Sequence, residues 1–294
     1  MRTLAALLLS TCAAHAAVNL TAPAASQADL DALTARVTKL EQGGSAPSCA
    51  NAAFCDDFNS LSLQNIYNGA PGTWMPSSWY APNNAGYVNN SAWFVNPFNP
   101  ATPNLQSLYA TAGSILSLGI QKTPASCTSA CGNQPYVQGQ IITNQTFLRG
   151  YFEAKLKVPV LVGSNFAFWT IAPGAPWPPE IDMVEIVQQS GQQPFAAQSV
   201  HYTNTSQDQV IAWNFDISQW HTFGADWQAT QLCFYIDRKQ TGCFPTNAQV
   251  YQYPMAIILS TQQGGSWSGP IPPNATLPAA MQVDYVAQWP QRPF

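Results

Sequence analysis

Charge is scarce in this sequence. Lys, Arg, Asp and Glu together make up 8% of its 294 residues, against about 25% in an ordinary soluble domain. The ten Lys and Arg form no basic stripe and the formal net charge is -4, so nucleic acid is not an expected partner. No apolar run approaches the roughly 20 residues that cross a bilayer, which argues against a membrane-embedded segment. After Cys49 no convincing amphipathic helix can be traced. That absence removes the helical and doubly wound classes from consideration. The hydrophobic content of 46% excludes wholesale disorder.

The N-terminus reads as an export signal. Met1-Arg2-Thr3 supplies the positive region, Leu4 to Ala14 a short apolar core, and Ala14-His15-Ala16 a small-residue cleavage site. Residues 1–16 are thus expected to be removed and the mature protein to be extracellular. Cys12 leaves with the signal, so six of the 7 cysteines remain. An even number in an exported chain implies disulfides, and the spacing favours local pairs: Cys49 with Cys55, Cys127 with Cys131, Cys233 with Cys243. Zinc is the weaker reading, because the spacing is irregular and few histidines accompany it.

Residues 17–48 form a segment of their own. Ser26 is a plausible N-cap, and Leu30, Leu33, Val37 and Leu40 follow at coiled-coil spacing until Gly43-Gly44. A short helix is expected there, followed by a linker at Ser45-Ala46-Pro47-Ser48. So short a helix is marginal alone. Self-association through residues 29–41, packing on the main domain, and fraying all stay open.

From Cys49 to Phe294 short runs of strand character recur between turn residues. Tyr151 to Val158 and Leu232 to Asp237 alternate, whereas Phe166 to Ile171 and Met255 to Leu259 are continuously apolar, as in strands covered on both faces. The pattern predicts one all-β sandwich domain over residues 49–294. Its 10 Trp include indoles able to stack on sugar rings, although core packing accounts for most of them.

The scarce charge is concentrated in one place. The sequence has four glutamates, Glu41, Glu153, Glu180 and Glu185, and two of them fall in Glu180-Ile181-Asp182-Met183-Val184-Glu185. Three carboxylates in an apolar strand raise one another's pKa and oppose folding. Glu180 and Asp182 share a face by the period of two, and Glu185 falls on the other. One β-bulge at Met183-Val184 would return Glu185 to its companions. The two glutamates then stand about 13 Å apart at Cα. Inward-leaning carboxyls can approach about 5 Å, the separation of a retaining glycosidase. In that scheme Glu180 is the nucleophile and Glu185 the general acid/base. Asp182 between them helps drive their pKa values apart. A half-exposed acidic strand is the bland alternative, which Ile181, Met183, Val184, Ile186 and Val187 argue against.

With these flanks the chain resembles family 16 glycoside hydrolases, in the bulged laminarinase-like branch. The motifs are Gly150-Tyr151-Phe152-Glu153-Ala154-Lys155, Phe168-Trp169, Trp177-Pro178-Pro179-Glu180 through Glu185, His201-Tyr202, Trp220 to Trp227, Gly264-Gly265-Ser266-Trp267 and Val283-Asp284-Tyr285-Val286. The resemblance implies a concanavalin A-like jelly-roll sandwich with a concave sugar cleft. The implied activity is endo-1,3(4)-β-glucanase hydrolysis of polysaccharide, most of all β-1,3-glucan, with no cofactor required. It places Trp169, Trp177, His201 and Trp267 along the cleft, with Glu153 and Lys155 bonding sugar hydroxyls. It also implies a possible structural calcium at Asp284. Pro179, Lys155 and Ser260 depart from the family's usual glycine, arginine and asparagine and bear on which glycan is cut. A transglycosylase on the same scaffold and a non-catalytic glucan-binding lectin are the competing expectations.

Overall fold

A computed structural model describes residues 49–76, 86–102, 105–203, 206–212, 215–246, 251–263 and 265–294. The expected signal peptide, the helix within 17–48 and its linker lie outside the described residues.

The expectation of an all-β sandwich holds. The first strands are β1 (Phe54–Asp56), β2 (Trp74–Pro76), β3 (Gly86–Asn89), β4 (Ala92–Val95), β5 (Tyr109–Thr111), β6 (Leu116–Lys122), β7 (Tyr136–Gln138), β8 (Gln140–Phe147) and β9 (Gly150–Lys157). The rest are β10 (Ser164–Ile171), β11 (Glu180–Gln188), β12 (Phe195–Thr203), β13 (Ser206–Ala212), β14 (His221–Trp227), β15 (Gln231–Ile236), β16 (Lys239–Pro245), β17 (Met255–Gln263) and β18 (Ala279–Trp289). Eleven of them build one sheet with β9, β14 and β18 at its middle. Seven build the other, in the order β13-β12-β11-β10-β17-β8-β2. Among the described strands, paired strands run antiparallel except β4 with β7.

One hydrophobic cluster lies between the sheets. The larger sheet contributes Phe152, Ala154 and Leu156 from β9 and Phe223 and Ala225 from β14. The smaller contributes Phe166, Phe168, Ile181, Ile186, Ile257 and Leu259. These alternate along their strands, so Tyr151, Glu153 and Lys155 point away from the core on one sheet, and Asn165, Ala167 and Trp169 on the other. The continuous apolar runs in β10 and β17 are explained by this arrangement, because both strands are central in the smaller sheet and covered on both faces. Gly163, at φ 83°, turns the chain into β10. A Cβ there would lie 2.4 Å from the Pro270 carbonyl, so only glycine lets the two segments approach.

Two of the expected disulfides are present, Cys49–Cys55 and Cys233–Cys243, the latter joining paired residues of β15 and β16. The third expectation is corrected. Cys127 and Cys131 are buried free thiols with their sulfurs 3.1 Å apart. That exceeds the roughly 2.05 Å of a disulfide. They sit four residues apart in a helical turn closed by Cys131 N–H donating to the Cys127 carbonyl at 2.8 Å. The turn brings the thiols together as contacting core side chains.

Candidate active site

The bulge falls where the spacing of the acids requires it. Along β12, Glu180 opposes His201, Asp182 opposes Ser199 and Glu185 opposes Ala197. Those partners are each two residues apart, so all three acids face one side even though the glutamates differ by five positions. On β10 the register passes from Phe168 opposite Val184 to Trp169 opposite Asp182, leaving Met183 as the surplus residue. Met183 and Val184, consecutive in sequence, both enter the core cluster. The Met183 carbonyl accepts a hydrogen bond from Gln198 Nε2 at 2.9 Å.

Glu180, Asp182 and Glu185 line a cavity of about 250 Å³ together with Gln140, Ala167, Trp169 and Gln262. The cavity opens on the face of the smaller sheet away from the core. Glu180 Oε2 accepts a hydrogen bond from Trp177 Nε1 at 2.9 Å. His201 Nε2 lies at hydrogen-bond distance, 2.8 Å, from Asp182 Oδ2 and 3.5 Å from Glu180 Oε1. Glu185 Oε1 accepts from Asn165 Nδ2 at 2.8 Å. Tyr251 O–H donates to the His201 carbonyl at 2.6 Å, tying down the Glu180 end of the site.

Burial sets the electrostatics. It raises the Glu180 carboxyl above the ordinary carboxylate range, while His201 and the Trp177 N–H pull it back. Asp182 is raised well above its usual value, by burial first and the neighbouring Glu180 second. Glu185 is pushed up to about 8 by burial and by Asp182, against the opposing Asn165 hydrogen bond. Of the three acids, Glu180 has both the nearby His201 imidazole and the Trp177 N–H to favour its ionised form. At neutral pH Glu185 keeps its proton. The arrangement therefore offers a carboxylate and a carboxylic acid on one wall of a small cavity.

The aromatic residues divide. Trp169 lines the cavity and donates from Nε1 to Ser260 Oγ at 3.1 Å. Trp177 is 44% exposed, and its ring centroid lies 5.8 Å from that of His201. Trp267 is not in the cavity of the acids. It lines a neighbouring space of about 640 Å³ with Gln189 and residues of 266–273. Its ring packs 5.9 Å from Phe195, which pairs with Val187 just past Glu185.

Two expected sugar ligands are corrected. Glu153 is fully buried on β9 of the larger sheet. There it accepts from Tyr151 O–H at 2.8 Å, from Tyr285 O–H at 2.7 Å and from the Arg238 guanidinium at 3.0 and 3.2 Å. Lys155, on the same outer face, pairs with Asp284 at 3.3 Å and lies 5.8 Å from the Trp220 ring centroid. Neither can reach a polymer held against β11, because the core lies between. At Asp284, where a structural calcium was expected, the Lys155 ammonium pairs with Oδ2 at 3.3 Å. Among the described residues, the acid and histidine side chains that converge in a group of three are Glu180, Asp182 and His201, within 4.8 Å of one another. They belong to the cavity already described.

Asn165, Gln198, Tyr251, Gln140 and Gln262 escaped sequence reasoning. Neutral amides and phenols carry no spacing signal, and only tertiary packing brings Asn165 to Glu185, Gln140 and Gln262 to the cavity, Tyr251 to the His201 carbonyl and Gln198 to the bulge.

The sequence pattern of "Glycosyl hydrolases family 16" matches residues 102–287. The "Endo-1,3-1,4-beta-glycanase EglC" of Rhizobium meliloti is 29% identical over 248 residues, covering 81% of this chain and 51% of that protein. The chain thus spans about half the length of that relative. A "Beta-glucanase" of Bacillus licheniformis is 26% identical over 246 residues, with 79% and 86% covered. Among solved structures, SCLam, "a non-specific endo-beta-1,3(4)-glucanase", superposes with a TM-score of 0.59 at 20% identity, covering 80% of this chain and 89% of that one. The laminarinase catalytic domain of Thermotoga maritima gives 0.59 at 17%, with 81% and 96% covered. At such identities the structural likeness speaks for the fold. The pattern spans more than half of the sequence and includes all three acids: the chain belongs to glycosyl hydrolases family 16.

Proposed function

We propose that this protein is a secreted, endo-acting, retaining β-glycosidase that hydrolyses polysaccharide, with β-1,3-glucan as the main substrate and mixed β-1,3(4)-linkages tolerated. The observation that carries the reading is the single bulge at Met183, which turns Glu185 to the side of Glu180 and Asp182 in one cavity. Relatives described as endo-1,3-1,4-β-glycanases and β-glucanases support the substrate class. The Cys49–Cys55 and Cys233–Cys243 disulfides support an oxidising compartment.

In the first half-reaction the Glu180 carboxylate attacks the anomeric carbon. The bond to the leaving sugar oxygen breaks as Glu185 delivers its proton to that oxygen. His201 and the Trp177 N–H hold the charge on Glu180 until the attack consumes it. In the second half, Glu185, now a carboxylate, takes a proton from water as the water oxygen displaces Glu180 from the anomeric carbon. Two carboxyl groups and water supply every atom transferred. Trp169 and Trp177 would present apolar surfaces to sugar faces on either side of the reacting bond.

The test is release of reducing ends from laminarin and from mixed-linkage β-glucan by wild type and by Glu180→Ala. Cleavage by the wild type with a loss of at least about 10³-fold in the variant is expected. Binding without cleavage by either protein would mean a glucan-holding lectin instead.

A further inference from the structure

One oxygen of Glu185 is already occupied. Asn165 Nδ2 donates to its Oε1 at 2.8 Å. Asn165 lies on β10 opposite Val187, two residues before Ala167, which opposes Glu185. It is 8% exposed and shares the cavity face with Ala167 and Trp169, whereas Phe166 and Phe168 between them fill the core. The amide is thus held by the strand itself and reaches Glu185 diagonally across the pair.

The other groups around Glu185 have different effects. Asp182 and Glu180, on its own strand, oppose its ionisation, and His201 from β12 favours it. Among the described residues, β10, β17 and β8 present neutral side chains at the cavity, Asn165, Trp169, Gln262 and Gln140. Asn165 is the neutral side chain that reaches a Glu185 oxygen with an N–H.

We propose that Asn165 is a positioning residue for the acid/base. It keeps Oε1 of Glu185 as a hydrogen-bond acceptor in both protonation states and so leaves Oε2 as the oxygen that gives up and regains the proton. The inference rests on the reading of Glu185 as general acid/base. When the Oε2–H bond breaks and the proton passes to the leaving sugar oxygen, the new negative charge on the carboxylate is met by the amide N–H already in place. When water attacks in the second half, Oε2 takes the water's proton while Oε1 keeps its partner. The N–H···O bond is worth more to the carboxylate than to the acid, so it makes Glu185 a readier proton donor.

The chain has four glutamates, so uniform ¹³C labelling of glutamate gives four carboxyl signals, and Glu185→Gln identifies one of them. In Asn165→Leu the Glu185 titration midpoint should rise by about one pH unit. The alkaline limb of kcat/KM on laminarin should move up with it, and kcat/KM at pH 7 should fall about ten-fold. Hydrolysis of an aryl β-oligoglucoside with a leaving group that needs no proton should keep nearly its full kcat/KM. Asn165→Ser, which is smaller and polar, gives a second reading should the leucine variant not fold. An unmoved Glu185 midpoint in the folded variant, or equal losses on both substrates, would overturn the proposal. A wild-type protein that cleaves no β-glucan would overturn the hydrolase reading instead, a result told apart because the titration needs no substrate.

Discussion

Gln198 Nε2 lies 2.9 Å from the carbonyl oxygen of Met183, the surplus residue of β11. The same nitrogen reaches the Tyr235 carbonyl on the facing sheet at 3.2 Å, and Oε1 accepts from Thr241 Oγ1 at 2.6 Å. A fully buried amide therefore bonds the backbone of the bulge and links it to the opposite sheet. These side-chain bonds help hold the kink in place.

Replacing Gln198 by Leu removes the side-chain donor to both carbonyls and the acceptor for Thr241 in a buried position. A stability loss of about 2 kcal/mol is expected in chemical denaturation. Activity per folded molecule should fall at least about ten-fold, since Glu185 loses its fixed aim. A folded variant with wild-type kcat would show that the bulge holds without the amide.

Glu185 also makes stability depend on pH. Its folded carboxyl keeps the proton up to about 8, while the unfolded chain releases it near the ordinary glutamate value of 4.5. Between those values the native state binds more protons than the unfolded state, so this group's share of stability falls as pH rises. Glu185→Gln removes that slope. Relative to wild type, the variant should gain on the order of 2–4 kcal/mol between pH 4.5 and pH 8. Contact of the side chain with solvent in the cavity keeps the gain below that of the full shift. Thermal melts at both pH values measure it, and parallel curves for the two proteins would contradict the assigned burial.

Trp177 does two things, donating to Glu180 and offering an exposed ring. Trp177→Phe keeps a ring and removes the N–H that lowers the Glu180 pKa. The acid limb of kcat/KM should then move to higher pH, because Glu180 must be ionised to attack, while KM changes little. A large rise in KM with an unmoved limb would assign the indole to sugar binding alone.

Arg238 tests the reassignment of Glu153. Arg238→Ala leaves a buried carboxylate without its guanidinium, so a loss of about 3 kcal/mol is expected. KM and kcat on laminarin measured well below the melting temperature should not change. A selective rise in KM would return Glu153 to the substrate.

How much was legible depended on where the signal lay. The acids could be found because carboxylates are rare in this chain, and an apolar strand gains no stability from carrying three of them. The bulge followed from parity, as five positions cannot share a face without one extra residue. Glu153 and Lys155 misled because a strand of alternating polarity does not say which side of which sheet it exposes. Lys155 meets Asp284, and Glu153 meets Arg238, only through pairings between residues far apart in sequence. Cys127 and Cys131 have the spacing of a local bridge, yet the turn between them ends in contacting thiols.

The all-β class, the three acids and the need for a kink between them could be read from the chain alone, because hydrophobic period and charge scarcity are local properties. Which neutral side chains tend those acids depended on the folded packing. Asn165 and Gln198 come to Glu185 and Met183 from neighbouring strands, and strand register is fixed by the whole packed sandwich.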